Sequence, residues 1–163
     1  MANAKYEKIY VDGCCNRDSG NCGWGSVCDH NGYPLLNDHS SLLSDMTLQD
    51  VNTPKGFQKV IISRFSDVQS QQNNGAELLG MVAGLRIANK YGAKFILSDS
   101  QLIVQYWSLD KVSPATKKKM DPLKYKYIQE CCVLRKQFES NGGKIVKIGG
   151  HENPADLGYH IQK

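Results

Sequence analysis

Apolar and polar positions along this chain change period several times, and each change marks an element. Lys8 to Val11 is β-branched and aromatic, the Gly13 and Asn16 to Gly20 stretch breaks it, and Gly23 to Cys28 resumes it before Asn31-Gly32. That pattern predicts a hairpin. Lys59 to Phe65 predicts a third strand, and the polar stretch from about Leu36 to Gly56 reads as a long connection, either an insertion or the seat of a short helix. From Asn74 to Tyr91 the period lengthens, with Leu78, Val82, Leu85 and Ala88 on one helical face and Gly80 and Gly84 placed for close approach to a sheet.

Ala93 to Leu97 is a compact apolar strand ending at Ser98-Asp99, and Gln101 to Trp107 reads as a short helix. The strand, helix, strand, helix alternation implies a right-handed parallel crossover, so the sheet is mixed and the class is α/β. Asp121 followed by Pro122 predicts a capped helix whose stripe is Leu123, Tyr127, Cys131, Leu134 and Phe138, stopped by Asn141-Gly142-Gly143. Lys144 to Ile148 predicts a last strand, and Asn153-Pro154-Ala155-Asp156 a short closing helix.

Composition narrows the class. At 163 residues, 40% apolar and 22% charged, the chain reads as one globular domain over residues 1–163. No apolar run approaches the roughly 20 residues of a membrane span, so no membrane partner is expected. Met1 to Lys8 lacks a secretory pattern, which predicts an intracellular location in cytoplasm or nucleus. The six cysteines include Cys14-Cys15 and Cys131-Cys132, with Cys22 and Cys28, but no Cys-x-x-Cys pair, and read as reduced thiols used for packing.

The net charge of +4 is modest and leaves a polyanionic partner open. Its distribution says more. Lys111, Lys117, Lys118, Lys119, Lys124, Lys126, Arg135 and Lys136 outnumber Asp110, Asp121 and Glu130 in one stretch, with Tyr125 and Tyr127 interleaved. That stretch is either a phosphate-tracking surface or a solvated helix face, and the Lys117 to Lys119 triplet, read as a loop, favours the former.

Of the sixteen acidic residues, Asp12, Glu77, Asp99 and Asp156 share one placement, at strand ends or helix starts. Each has a structural alternative: a turn for Asp12, a capping box with Asn74 for Glu77, a strand-to-helix turn for Asp99, a helix-dipole carboxylate for Asp156. Gathered in one pocket, four carboxylates need cations, and oxygen-only ligation selects magnesium or manganese. His151, in a Gly-Gly-His-Glu loop, is placed to shuttle protons near neutral pH. No Gly-x-Ser-x-Gly elbow, P-loop or dinucleotide fingerprint is present.

Val-Asp-Gly with Gly-Trp-Gly in the next strand, Asn-Asn-Gly-Ala-Glu-Leu, Ser-Asp-Ser-Gln, and Gly-His ahead of Asn-Pro-Ala-Asp follow one another over nearly the whole chain. In that order they resemble ribonuclease H of the type found in bacteria, nuclei and reverse transcriptases. The resemblance implies an RNase H-like fold: a five-stranded mixed sheet of order 3-2-1-4-5 with helices on both faces. It implies a monomeric endonuclease that hydrolyses the RNA strand of RNA/DNA hybrids and leaves 3′-hydroxyl and 5′-phosphate ends. Two magnesium ions about 4 Å apart, replaceable by manganese, would be held by Asp12, Glu77, Asp99 and Asp156.

In that scheme Asp12 bridges both ions, Glu77 and Asp99 serve the leaving-group side, Asp156 serves the water side, and His151 assists proton transfer or product release. Asn74, Ser100, Gln101 and the backbone at Gly13 and Cys14 match positions that touch the hybrid, where the 2′-hydroxyl tells RNA from DNA. Lys117, Lys118 and Lys119 stand for the family's basic handle. The chain departs from the family in the short spacing of His151 and Asp156, in Gly75-Ala76 before the glutamate, and in the long Leu36 to Gly56 segment. Those departures leave two alternatives: a hybrid-binding module with weakened chemistry, and a related DNA nuclease or junction resolvase.

Overall fold

A computed structural model of the chain describes residues 4–15, 23–66 and 72–158. The Asn16 to Gly20 break, Cys22 and His160 lie outside the described residues. The strands are β1 (Tyr6–Cys14), β2 (Gly23–Asp29), β3 (Thr47–Thr53), β4 (Gly56–Ser63), β5 (Ala93–Ser98) and β6 (Lys144–Lys147). The helices are α1 (Gln72–Tyr91), α2 (Gln101–Gln105), α3 (Pro114–Lys119) and α4 (Pro122–Ser140). Short 3₁₀ turns occupy Ser40–Leu43, Trp107–Leu109 and Gly150–Glu152.

All six strands form one sheet in the order β3-β4-β2-β1-β5-β6. β1 runs parallel to β5, and β5 to β6, while the β1–β2, β2–β4 and β3–β4 pairs are antiparallel. Five strands thus take the expected order, and β3 is added outside them. It arises within the stretch read as a connection, which also holds the 3₁₀ turn Ser40–Leu43. The strand has no period-two signature because Leu48 faces one apolar cluster and Val51 the other. Pairing with β4 along its whole length, from Thr47 opposite Ile62 to Thr53 opposite Gly56, makes it a strand.

The larger apolar cluster lies where α1 and α4 cover the sheet, joining Ile9, Val11 and Ile96 to Leu78, Val82, Leu85, Ile128 and Phe138. On the other face Cys14, Trp24, Val51, Val60, Ile62 and Leu157 form a smaller cluster. Leu157 belongs to the segment expected to be a closing helix, and no helix forms there through Gly158. Asn153 makes the bond of a cap, Oδ1 accepting from the Ala155 amide at 3.0 Å, while its Nδ2 donates to the Val11 carbonyl at 2.9 Å. Asp156 Oδ1 accepts from the Gly158 amide, and Gly158 sits at φ 97°, outside helical space.

Two further expectations are corrected. Lys117, Lys118 and Lys119 form the last turn of α3, whose cap is Ser113 accepting from the Thr116 amide and whose first residue is Pro114. Cations at that end complement the helix dipole. Lys124 is not part of a basic surface, because it is fully buried. Cys28 and Cys131 are buried thiols, pushed up to about 12 chiefly by desolvation, and are therefore neutral and inert at physiological pH. Among the described residues no helix is long and apolar enough to cross a membrane.

Arg86 on α1 ties the helical layer together. Its guanidinium donates to both oxygens of Asp45 at 2.7 and 2.9 Å, to both of Glu130 on α4 at 2.8 and 2.9 Å, and to the Leu42 carbonyl. Tyr127 also donates to Asp45, at 2.8 Å. The Arg86 hydrogen bonds hold the Asp45 carboxyl down to about 2, below its ordinary 3.8. Asp45 therefore adds stability that is complete above its unfolded pKa and disappears as pH falls through the folded value. Replacing Arg86 with Met is expected to lower unfolding free energy at neutral pH by about 1–3 kcal/mol, mostly from the Glu130 and Leu42 hydrogen bonds, because Asp45 is half exposed. Urea unfolding measures that loss, and the acid-induced fall in stability below the ordinary carboxylate range should be shallower in the variant.

Candidate metal centre

Strand register places the first two carboxylates. β1 and β5 are parallel with Tyr10 opposite Leu97, so two residues further on Asp12, still paired to β2, and Asp99, just past the end of β5, stand at the same level. Asp99 follows the last residue of β5 and precedes Ser100, the cap of α2. The third carboxylate comes from α1, which crosses β1 at very short range. A Cβ on Gly13 would lie 2.4 Å from the Glu77 amide nitrogen and 2.7 Å from Glu77 Cγ, and one on Gly80 would lie 3.0 Å from the Asp12 carbonyl. Glycine at 13 is what lets Glu77 sit against the strand that carries Asp12.

The outcome is a cluster in which one carboxylate oxygen each of Asp12, Glu77 and Asp99 lies within 4.8 Å of the others. Asp12 is buried at 3% exposure, and its two companions are half-buried. Three carboxylates at that spacing repel one another strongly, and an all-oxygen set of this kind suits a hard divalent ion such as Mg²⁺ or Mn²⁺. The residues therefore fit the ion.

Asp156 is not one of the three, but its segment is tied to the strands beside Asp12. Ser26, the cross-strand partner of Asp12, donates from its hydroxyl to the Ala155 carbonyl at 2.6 Å. Asn153 holds the Val11 carbonyl, Leu157 is buried in the smaller cluster with Val51 of β3, and Gly158 packs on Pro54 in the β3–β4 turn. The inserted strand and turn thus form part of the bed on which this segment lies. His151 is 88% exposed with Nε2 3.9 Å from the Glu152 carboxylate. Its neighbour Gly150 lies against Asp99, with a built Cβ 3.5 Å from Oδ2.

The remaining residues separate into two sets. Asn74 lies inside the first turn of α1, not at its cap, since the helix already begins at Gln72. The capping-box alternative for Glu77 is therefore not realised. Asn74 lines a cavity of about 380 Å³ with Lys111, Ser113, Thr116, Tyr106 and Trp107. That cavity reaches the start of α3 at Ser113 and Thr116, next in the chain to Lys117. Gln101 is exposed and bonded to Gln105 at 3.0 Å. Ser100, by contrast, is buried and accepts from the Ile103 amide as a helix cap, and Cys14 is buried in the smaller cluster. Sequence reasoning missed Ser26 and the tethering role of Asn153, because a lone serine in a strand carries no signal and Asn-Pro-Ala-Asp reads locally as a helix start.

The RNase H family profile matches residues 4–156. RNase H1 from the halophilic archaeon Halobacterium salinarum NRC-1 is similar in structure, with a TM-score of 0.51, 19% identity, and coverage of 91% of this chain and 89% of that one. The N-terminal RNase H domain of a Mycobacterium tuberculosis protein, solved as a fusion with maltose-binding protein, gives a TM-score of 0.45 at 20% identity over 90% and 86%. The first likeness shows a shared fold. No curated protein matches the sequence.

Gly13→Ala is expected to push Glu77 off β1, costing about 1–3 kcal/mol through overpacking and abolishing the rise in melting temperature expected of the parent protein in Mn²⁺. Thermal unfolding with and without Mn²⁺ measures both effects.

Proposed function

The chain belongs to the ribonuclease H family, and on that premise we propose that it is an endonuclease that hydrolyses the RNA strand of RNA/DNA hybrids with two divalent ions. The observation that carries this reading is the meeting of Asp12, Glu77 and Asp99, contributed by a strand, a helix and a strand end far apart in sequence. Bound Mg²⁺ ions supply the activation of water and the neutralisation of charge on the scissile phosphate that phosphodiester hydrolysis requires.

The chain's own residues do the rest. Asp12, almost wholly buried, would be the ligand common to the ions, and Glu77 and Asp99 would serve the leaving-group side. Asp156 completes the set from the segment tethered to Val11 and Ser26. His151, exposed and one residue from the glycine that lies against Asp99, exchanges protons with solvent on the product side and favours release with a 3′-hydroxyl and a 5′-phosphate.

The hybrid runs over the Gly13 and Cys14 backbone, Asn74 and Gln101, where the 2′-hydroxyl distinguishes the RNA strand. Ser100 contributes through its position in the α2 cap, since its hydroxyl is already engaged with the Ile103 amide. The other strand follows the cavity between Asn74 and Thr116 toward the α3 lysines, which meet its phosphates. We take the molecule to act as a monomeric single domain.

Labelled RNA/DNA hybrid, duplex DNA and duplex RNA, each incubated with Mg²⁺, test the reading: only the hybrid should be cut, on its RNA strand. Asp12→Asn should slow cleavage at least about a thousandfold, corresponding to roughly 4 kcal/mol of transition-state stabilisation. DNA cleavage, or an active Asp12→Asn protein, would overturn it. Alanine at Lys117, Lys118 and Lys119 together should weaken hybrid binding and flatten the slope of log affinity against log salt by about 0.7–0.9 for each phosphate that is no longer neutralised. A salt titration of binding, run with Ca²⁺ in place of Mg²⁺, reads that slope.

A further inference from the structure

Lys124 is the one lysine among the described residues that is completely buried, and nothing in the reaction uses it. It lies in the first turn of α4, where a cation opposes the helix dipole, so its burial there carries a cost that packing alone does not require. Its Nζ stands 5.4 Å from the centroid of the Phe65 ring and 5.9 Å from that of Trp107, within cation–π range of both. Three residues earlier Asp121 caps the same helix, and its other oxygen accepts from the Ser66 amide at 2.6 Å. Burial works against the Asp121 carboxylate, but the Ser66 and Leu123 amides and the Lys124 charge together hold its pKa below the ordinary value.

The first turn of α4 therefore grips two consecutive residues, Phe65 by its ring and Ser66 by its amide, where the chain leaves β4. Phe65 in turn lies against α1. A Cβ on Gly75 would meet Ser63 Oγ at 2.6 Å and Phe65 Cδ2 at 2.8 Å, and Gly75 is two residues before Glu77. On its opposite side Glu77 rests on Gly13 of β1. Glu77 is thus held between β1 and a stack that runs Lys124, Phe65, Gly75.

We propose that Lys124, acting with Asp121, is a positioning residue that sets Glu77 against Asp12 and Asp99 through Phe65 and the first turn of α1. The proposal rests on the reading of Glu77 as a metal ligand. It explains why a charge is kept where an apolar side chain of similar volume would fill the space: the ammonium both orients the Phe65 ring and draws Asp121 toward Ser66.

The test compares the parent protein with Lys124→Met, which keeps an unbranched stem and removes the charge, with Asp121→Asn, and with the pair. Removing both charges is often neutral, so the double variant should unfold near the parent's denaturant midpoint, and Lys124→Met, which leaves Asp121 without its ammonium, somewhat below it. In Lys124→Met the amides from Asn74 to Glu77 should exchange about tenfold faster, with those from Arg86 to Tyr91 unchanged. The Mn²⁺ concentration for half-saturation should rise several-fold, with the KM for hybrid unaltered. The double variant should add little to either single change, as expected of groups acting as a unit. Unchanged exchange at Asn74 to Glu77, or loosening spread evenly along α1, would overturn the proposal and leave Lys124 a core residue. A parent protein that binds no Mn²⁺ would instead defeat the metal-ligand reading of Glu77, and the exchange ratio would still decide whether the clamp exists.

Discussion

Everything at the proposed centre depends on how closely α1 lies on β1. A helix normally rests on a sheet at a distance set by the side chains between them, yet here the Glu77 backbone meets the strand directly at Gly13, and the Asp12 carbonyl meets the helix at Gly80. Removing two Cβ atoms brings a helix carboxylate into the range of a strand carboxylate. Parallel pairing of β1 with β5 then adds Asp99 at the same level without any further device.

The same helix divides its labour along its length. Its first turns carry Asn74 and Glu77 and face the β4 exit, while Arg86, more than two turns on, makes a partly exposed ionic junction with Asp45 and Glu130. That junction joins α1 to α4 and to the segment after the Ser40–Leu43 turn, so the stability of the helical layer is vested away from the acidic cluster. α4 repeats the arrangement: its middle packs into the core through Ile128 and Cys131, and its first turn, with Asp121 and Lys124, reaches toward the start of α1.

The inserted segment finds its place on the other face. β3 extends the sheet by one strand and contributes Val51 to the cluster that also buries Leu157, and the β3–β4 turn meets Gly158. A chain in which Asp156 follows His151 by only five positions has little loop with which to steer its last carboxylate. Here the Asn153 and Ser26 hydrogen bonds, with the β3 side of the sheet beneath Leu157, fix the segment that carries Asp156, which is what the proposed role of that residue requires.

Local chemistry was enough to read much of this from the chain. Period-two and period-3.6 patterning marked β1, β2, β4, β5, α1 and α4; Ser100 and Asp121 announced their caps; and the parallel crossover followed from element order. The four carboxylates stood out because strand ends and helix starts are themselves visible in turn residues. What the sequence could not carry was anything decided by a partner distant along the chain. β3 is a strand only because β4 pairs with it, and the turn that Asn153 opens is tied to the Val11 carbonyl and ends at Gly158 rather than running on as a helix. Lys124, indistinguishable in sequence from its exposed neighbours, is buried because Phe65 and Trp107 close over it. The sequence by itself determined which groups could bind an ion, since donor type and local placement are properties of a few residues. Only the tertiary structure decided that Asp12, Glu77 and Asp99 meet, because the distance between them is set by two missing side chains and a strand register.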